Sequence, residues 1–132
     1  MKGLTSTPKK GLEVGSYLVC ADNSGAYVLK IISVRGYKGV RRRRGRAGIA
    51  DWIKCSVKEG IPKMKKQVVN AVIIRQRAEM RRMEGIRVKF EDNAAVLINE
   101  EGEPIGSEIR GPVAREVIER FSAIGKISRI VV

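Results

Sequence analysis

The most distinctive chemical feature of the sequence is a concentration of arginine and lysine near its centre. Residues 35–82, the basic window, contain sixteen basic and three acidic side chains, whereas the other 84 residues contain eleven of each. The formal net charge of +13 therefore comes entirely from the basic window. A positive potential focused on one region attracts polyanions, and guanidinium groups bind phosphate through paired N–H donors. The predicted chemistry is phosphate binding, with nucleic acid as the leading ligand.

The side chains expected to contact RNA lie in three places. They are the glycine-rich basic loop RGYKGVRRRRGRAG at 35–48, the lysine-rich turn at 63–66, and a hairpin between Ile74 and Ile86. The predicted RNA-binding residues are Arg35, Lys38, Arg41, Arg42, Arg43, Arg44, Arg46, Lys63, Lys65, Lys66, Arg75, Arg77, Arg81 and Arg82. Since like charges repel and glycine leaves the backbone free, we expect the loop to become ordered only against phosphate. The hairpin arginines are expected to project a second basic surface.

Several residue types that enzymes need are missing or poorly placed. The sequence has no histidine and no phosphate-binding loop motif, which removes the commonest proton-transfer group and nucleotide hydrolysis. Glu91 and Asp92 are adjacent on an extended segment and should point to opposite faces, so a catalytic pair is not expected. Cys20 and Cys55 match no metal or redox spacing and are expected to be buried free thiols. The prediction is a protein that is not an enzyme and uses no cofactor or metal.

Three other readings of the charge are less favoured. A free single-strand binder needs aromatic side chains interleaved with basic ones, and the basic window holds only Tyr37, which could stack on a base, and Trp52, expected in the core. A metal-dependent RNA-processing enzyme needs clustered acids, and the window's three acids are scattered. Binding to an anionic membrane normally uses a basic amphipathic helix, which is not found there. The longest apolar run, Ala94–Ile98, is too short to span a bilayer, and the start of the chain resembles no export signal.

The elements that must position these residues are mainly β-strands. Strand-like runs occupy Tyr17–Ala21, Ala26–Val34, Trp52–Val57, Val68–Gln76, Ile86–Phe90 and Ala94–Asn99. The turn Asp22-Asn23-Ser24-Gly25 is expected to be held by Asx hydrogen bonds and not to contact RNA directly. Short strands separated by close turns, with a run around Val72–Ile74 that looks buried on both sides, predict a small closed β-barrel over about residues 15–106.

The end of the chain has a different pattern. Apolar residues at helical spacing after Gly111 predict one amphipathic helix of about ten residues with Pro112 in its first turn. Glu116 and Arg120 are expected to pair along it. The apolar tail 127–132 is expected to add an extended segment. The prediction is a single domain, 1–132, with a helical segment over about 111–132.

Four stretches of the sequence resemble the universal large-subunit ribosomal protein L-fourteen family. They are ADNSGA (21–26), AVIIRQR (71–77), GIRVKFEDNAAVLIN (85–99) and GPVARE (111–116). The positions that match the family signature are Ala71, Val72, Ile73, Ile74, Gly85, Phe90, Asn93 and Val96, with Glu84 as a departure from the usual turn residue. The resemblance covers essentially the whole chain. The extension before Gly15 and the long basic loop are similar to the archaeal and eukaryotic branch.

The resemblance implies a fold and a role. The fold that the resemblance implies is the family's five-stranded β-barrel with a small, mainly helical C-terminal part. The role that the resemblance implies is that of a structural constituent of the large ribosomal subunit in the cytoplasm, bound to large-subunit ribosomal RNA. Family members also touch small-subunit RNA at an inter-subunit bridge, neighbour ribosomal protein L-three, and receive factors that block subunit joining. The family's long hairpin faces the bridge, so the tip near Arg81 and Arg82 is expected to make that contact.

Overall fold

The computed structural model describes residues 3–37 and 39–132. Lys38, one of the predicted RNA-binding residues, lies outside them. The strands are β1 (Leu12–Glu13), β2 (Tyr17–Cys20), β3 (Ala26–Val34), β4 (Arg46–Ala47), β5 (Trp52–Gly60), β6 (Val68–Arg75), β7 (Met80–Arg81), β8 (Arg87–Val88), β9 (Ala94–Ile98), β10 (Pro112–Val113) and β11 (Ile130–Val131). The helices are α1 (Arg115–Arg120) and α2 (Ser122–Ile127).

Five strands close into a barrel in the order β2-β3-β5-β6-β9. Strand β2 pairs with β9 in parallel, and the other neighbours pair antiparallel. Closure satisfies the backbone groups that an open sheet would expose at its edges. The predicted closed five-stranded barrel is confirmed.

The barrel core follows the alternation of each strand. Along β5, Ile53, Cys55 and Val57 point inward and are buried, whereas Lys54 and Lys58 point outward and are exposed. The second half of β6 is buried on both faces, as predicted, and helix α1 packs against this strand. The inward side chains are therefore unavailable for binding, and ligands must meet the outer wall and the loops.

The predicted strand at Ile86–Phe90 does not join the barrel. Only Arg87–Val88 is extended, and it pairs with Met80–Arg81 in a separate two-stranded hairpin. The turn is closed by backbone hydrogen bonds from Arg82 N to Ile86 O and from Gly85 N to Arg82 O, both 2.9 Å. Gly85 has φ +87°, a conformation that glycine adopts without strain. The hairpin therefore forms a separate two-stranded sheet and does not extend the barrel.

The predicted ten-residue helix is wrong in its start and its length. Pro112–Val113 is an extended segment that pairs in parallel with Ile130–Val131, so the expected extended tail is confirmed. The helical segment then breaks into α1 and α2 at Phe121, whose φ of −127° and ψ of 80° are not helical. The Phe121 ring packs 6.1 Å from the ring of Trp52. Apolar packing at Phe121 accompanies the break in the helix.

The predicted pair of Glu116 and Arg120 is also wrong. Glu116 is buried and accepts hydrogen bonds from Arg82. Arg120 donates to the carbonyl of Ala50 at 3.1 Å and lies 3.5 Å from the carboxylate of Asp51. Both side chains hold the helix to other elements because their partners lie across the fold.

The cysteines and the turn at 22–25 agree with the sequence predictions. Cys20 and Cys55 are buried free thiols, and burial raises the pKa of each to about 12, with the carboxylate of Asp22 contributing at Cys20. Asp22 accepts a hydrogen bond from the backbone N–H of Ser24 at 3.2 Å and from Leu97 N at 2.9 Å. Asp22 therefore holds the turn to β9, and the raised pKa values keep both buried thiols protonated at neutral pH.

Candidate nucleic-acid interface

The basic loop leaves the barrel after Val34 and carries Arg41–Arg44 at its exposed end. In the described part of the chain, no carboxylate lies within 4.0 Å of any of these four guanidinium groups. Tyr37 is 41% exposed and lies against the loop backbone, where a Cβ at Gly39 or Gly45 would be 3.2 or 3.4 Å from its ring. The loop and the adjacent segment enclose a cleft lined by Lys10, Glu13, Tyr37, Arg42, Arg43, Arg44 and Arg46. Its charge is strongly positive.

The C-terminal end of the basic loop is anchored to the segment that precedes the barrel and to Asp51. Arg46–Ala47 pairs with Leu12–Glu13, and Arg46 forms a 3.1 Å ion pair with Glu13. The backbone N–H of Gly48 donates to the Asp51 carboxylate at 2.7 Å. The part of the loop without such anchors is 39–44, which is shorter than the segment expected to order on binding.

Strands β3 and β5 pair antiparallel, and the lysine-rich turn lies at the opposite end of this pair from the basic loop. Lys63, Lys65 and Lys66 are exposed beyond Gly60, which pairs with Ala26 at the start of β3. The basic loop begins where β3 ends. Nine extended residues span about 25 Å to 30 Å, so the two basic elements are separated by roughly that distance.

Two lysines that were not among the predicted site residues connect these ends. Lys54 and Lys58 are exposed on the outer face of β5, between the basic loop and the lysine-rich turn. The alternation of buried and exposed residues along Trp52–Gly60 is the signal that could have identified them. The basic surface therefore runs along the barrel wall as well as along the loops.

Arg75 does not project from the hairpin as predicted. It is buried, with its Nε and Nη2 donating to the two oxygens of Asp92 at 2.9 and 3.2 Å. Its Nη1 donates to the backbone carbonyls of Arg110 and Pro112 at 2.8 and 3.0 Å. Gly111 has φ +77°, and a Cβ there would lie 2.5 Å from the guanidinium. Arg75 fixes the chain leading to the helices.

Arg82 also differs from the prediction, because it too is buried. It donates to the two carboxylate oxygens of Glu116 at 2.8 and 3.3 Å and to the backbone carbonyl of Val132 at 2.6 Å. These bonds connect the hairpin to α1 and to the last residue of the chain. The guanidinium of Arg82 thus faces the interior.

The remaining hairpin arginines are exposed. Arg81 lies directly opposite Arg87 in the register of the two strands, and Nη1 of Arg87 lies 4.0 Å from the carboxylate of Glu79. Arg77 is exposed and donates from Nε to the carbonyl of Glu91 at 2.9 Å. Like charges directly opposite one another destabilise a hairpin, and the Glu79 carboxylate offsets part of this repulsion at Arg87. Arg87, which was not among the predicted residues, is positioned for the same ligand as Arg81.

These features define a class: a small β-barrel protein with a strongly basic outer surface. Residues 3–37 and 39–132 hold no cluster of side chains suited to a metal ion, and no helix within them is long and apolar enough to cross a membrane. The model of the family Ribosomal protein L14p/L23e matches residues 11–132.

Individual relatives agree with this match over their whole length. The chain is 53% identical to the large ribosomal subunit protein uL14 of Methanothrix thermoacetophila, 51% to that of Methanocorpusculum labreanum and 50% to that of Natronomonas pharaonis. In each case 100% of both chains is covered. The chain belongs to the ribosomal protein L14p/L23e family, which confirms the resemblance found in the sequence. Members of this family are structural proteins and not enzymes.

Proposed function

We propose that this protein is a structural constituent of the large ribosomal subunit and binds large-subunit ribosomal RNA through its basic loop. The observation that carries the proposal is the state of Arg41–Arg44. They are exposed, lie on a loop with few anchors, and have no carboxylate within 4.0 Å among the residues described. The names of the relatives, all large-subunit proteins, support the assignment.

The binding chemistry follows from the geometry of A-form RNA. Such helices present phosphates and 2′-hydroxyls more readily than base edges, so they are recognised by shape and backbone contacts. Arginine binds phosphate with two parallel N–H donors and also stacks on an unpaired base. The cleft beside the basic loop supplies several such groups, and Lys63, Lys65 and Lys66 supply a second contact at the far end of β5. The two contacts hold RNA along one side of the barrel.

The hairpin is the proposed contact with the small subunit. Arg77, Arg81 and Arg87 are exposed there, and of these three only Arg87 has a carboxylate within 4.0 Å among the described residues, that of Glu79. Met83 and Ile86 at the tip are 80% and 57% exposed, which also suits contact with a protein. We therefore propose that this surface contacts small-subunit RNA at a bridge, and that a neighbouring L-three protein and factors that block subunit joining are further partners. Arg75 and Arg82 are left out of the proposed interface because their guanidinium groups are buried and paired.

Sedimentation of tagged protein in sucrose gradients tests the main proposal. Wild-type protein is expected to migrate with the large subunit, and the variant with Arg41, Arg42, Arg43 and Arg44 replaced by alanine is expected to move into the free pool. A charge-matched control replaces Lys89, Arg110, Lys126 and Arg129, which are exposed and lie outside the basic window. Wild-type protein found only in the free pool would overturn the proposal. Equal loss in the control would show that total charge, and not the basic loop, directs assembly.

A further inference from the structure

We propose that a groove on the barrel wall around Arg35, the first residue of the basic loop, binds one backbone phosphate of RNA at a subsite distinct from Arg41–Arg44. This proposal rests on the proposed function and assigns a further subsite to it. The Arg35 groove is lined by Ser33, Arg35, Trp52, Lys54, Asn70 and Glu100. It lies at the end of the barrel from which the basic loop departs.

Arg35 is held in a fixed orientation without the use of its guanidinium donors. The guanidinium carbon lies 4.2 Å from the centre of the Trp52 ring, and the backbone N–H of Arg35 donates to the Trp52 carbonyl at 2.9 Å. Trp52 is 7% exposed and is supported by Phe121 from within the fold. Stacking on an aromatic face is favourable for arginine and leaves its N–H groups free. Within the described chain, no carboxylate lies within 4.0 Å of Arg35.

Three donors of different chemistry form a row beside Arg35. In the sheet register, Ser33 pairs with Lys54, and Lys54 pairs with Asn70 on the next strand. Directly paired residues place their Cβ atoms about 4.5 to 5.5 Å apart, so a hydroxyl, an ammonium and an amide occupy adjacent positions. Lys54 is exposed and, among residues 3–37 and 39–132, has no carboxylate within 4.0 Å. Together with Arg35 these groups offer N–H and O–H donors to an oxyanion.

The charge of the groove matches a phosphodiester. Arg35 and Lys54 are positive and Glu100 is negative, so one positive charge remains for one negative phosphate. The Glu100 carboxylate forms no ion pair with either cation, since none of the ion pairs between described residues includes it. It lowers the positive potential without blocking the donors. Replacing Glu100 by glutamine is therefore expected to tighten RNA binding.

The position of the groove favours RNA over a free small anion. Arg35 is the first residue after β3 and the first residue of the basic loop, so the groove lies where the loop leaves the barrel. An RNA strand bound by the loop continues towards the lysine-rich turn along the wall that carries Lys54 and Lys58. The Arg35 groove lies on that path.

Trp52 is the only tryptophan in the sequence, so intrinsic fluorescence reports directly on the groove. The full-length protein is titrated with a hairpin fragment of large-subunit ribosomal RNA, and separately with inorganic phosphate, at several salt concentrations. We expect RNA to change the Trp52 emission in the wild type. Arg35→Ala and Lys54→Ala are each expected to lower the slope of log affinity against log salt by about 1.

The variant Arg35→Lys distinguishes the contribution of guanidinium stacking on Trp52 from the contribution of the positive charge. It is expected to keep most of the salt slope but to lose the change in Trp52 emission, because lysine does not form the planar stack. Arg129→Ala, an exposed arginine outside the groove, serves as the control and is expected to behave as the wild type. The melting temperature of each variant is measured alongside.

Each remaining outcome is decisive. An unchanged Trp52 emission at saturating RNA, or wild-type affinity and slope in both alanine variants, overturns the Arg35 groove. If the basic-loop variant loses binding in that experiment, the proposed function stands without the groove. If wild-type protein fails to bind the RNA fragment by any readout, the proposed function itself fails. A full emission response to inorganic phosphate, with no tighter response to RNA, would assign the groove to free phosphate and overturn the RNA proposal.

Discussion

The basic loop and the hairpin use arginine in opposite ways. Arg41–Arg44 in the loop are exposed and meet no carboxylate among the residues described, whereas Arg75 and Arg82 beside the hairpin are buried and hold Asp92 and Glu116. All six come from the same basic window. The difference shows that arginine content locates a basic region, while partner carboxylates decide which arginines remain available to a ligand.

Substitutions in the two sets of arginines are expected to change the free energy of unfolding by different amounts. Removing an exposed arginine loses little stability, because exposed charges are screened and solvated. Removing one member of a buried ion pair leaves the other charge unpaired in a poorly hydrated place, which is strongly unfavourable. Variants of the two regions should therefore separate binding from stability.

The largest expected effect is on folding, at Arg82. Replacing Arg82 by alanine leaves the buried carboxylate of Glu116 unpaired and is expected to lower the free energy of unfolding by about 3 to 5 kcal/mol. Equilibrium unfolding in urea, followed by circular dichroism, measures this change.

The control for Arg82 removes both charges. Replacing Arg82 by methionine and Glu116 by leucine together is expected to recover most of the lost stability, because no unpaired charge remains buried. Arg81→Ala, on the exposed neighbour, is expected to change stability by less than about 0.5 kcal/mol. A stability loss for Arg82→Ala as small as that of Arg81→Ala would contradict the contrast between the two regions.

The next effect concerns RNA affinity. Replacing Arg41, Arg42, Arg43 and Arg44 by alanine is expected to lower the slope of log affinity against log salt by at most about 3 to 4, since each lost phosphate contact contributes about 0.7 to 0.9. The melting temperature should stay the same or rise slightly, because mutual repulsion is removed. Filter binding at several salt concentrations, with thermal unfolding, measures both. An unchanged slope would mean that these arginines stay solvated in the complex, and a collapsed melting temperature would mean that they pack against the barrel.

A smaller effect is expected at the hairpin tip. Arg81→Ala should leave incorporation into the large subunit nearly intact and weaken joining to the small subunit several-fold, since one phosphate contact is lost. Gradient analysis at low and high magnesium separates incorporation from joining. Arg81→Lys keeps the charge and should retain most of the joining. Lost incorporation with normal joining would place the hairpin on the face buried against large-subunit RNA.

The smallest expected effect is a difference in amide exchange rates, which locates the boundary between the unanchored and anchored parts of the basic loop. In the free protein, amides of residues 39–42 and 44 are expected to exchange rapidly, whereas the amides of Gly48 and Ala50 should be protected. Gly48 N donates to Asp51 and Ala50 N donates to the carbonyl of Ile73 at 2.9 Å. Hydrogen exchange followed by NMR resolves the two groups. Protection throughout 39–44 in the free protein would remove the basis for ordering on RNA binding.

Much of the fold could be read from local patterns. The alternation in β3 and β5, the doubly buried run at Val72–Ile74 and the turn signals predict a closed barrel, because these features depend on residues near one another in the chain. The helix after Gly111 was predicted too long, since the break at Phe121 accompanies packing against Trp52, which is 69 positions earlier. The division of the basic window into separate surfaces also needed the strand register.

Only part of the candidate interface could be predicted from local sequence patterns. The segregation of charge, the absence of histidine and the apolar runs around the two cysteines are properties of composition and short-range pattern, and they predicted a polyanionic ligand and a protein that is not an enzyme. Which arginines are free was decided by tertiary structure alone. Arg75 meets Asp92 17 positions away and Arg82 meets Glu116 34 positions away, through contacts that no local pattern encodes. The stacking of Arg35 on Trp52 arises in the same manner, because the barrel brings the end of β3 beside the start of β5. A guanidinium has the same charge in the sequence wherever it lies, and only the folded chain determines whether a carboxylate, an aromatic ring or solvent faces it.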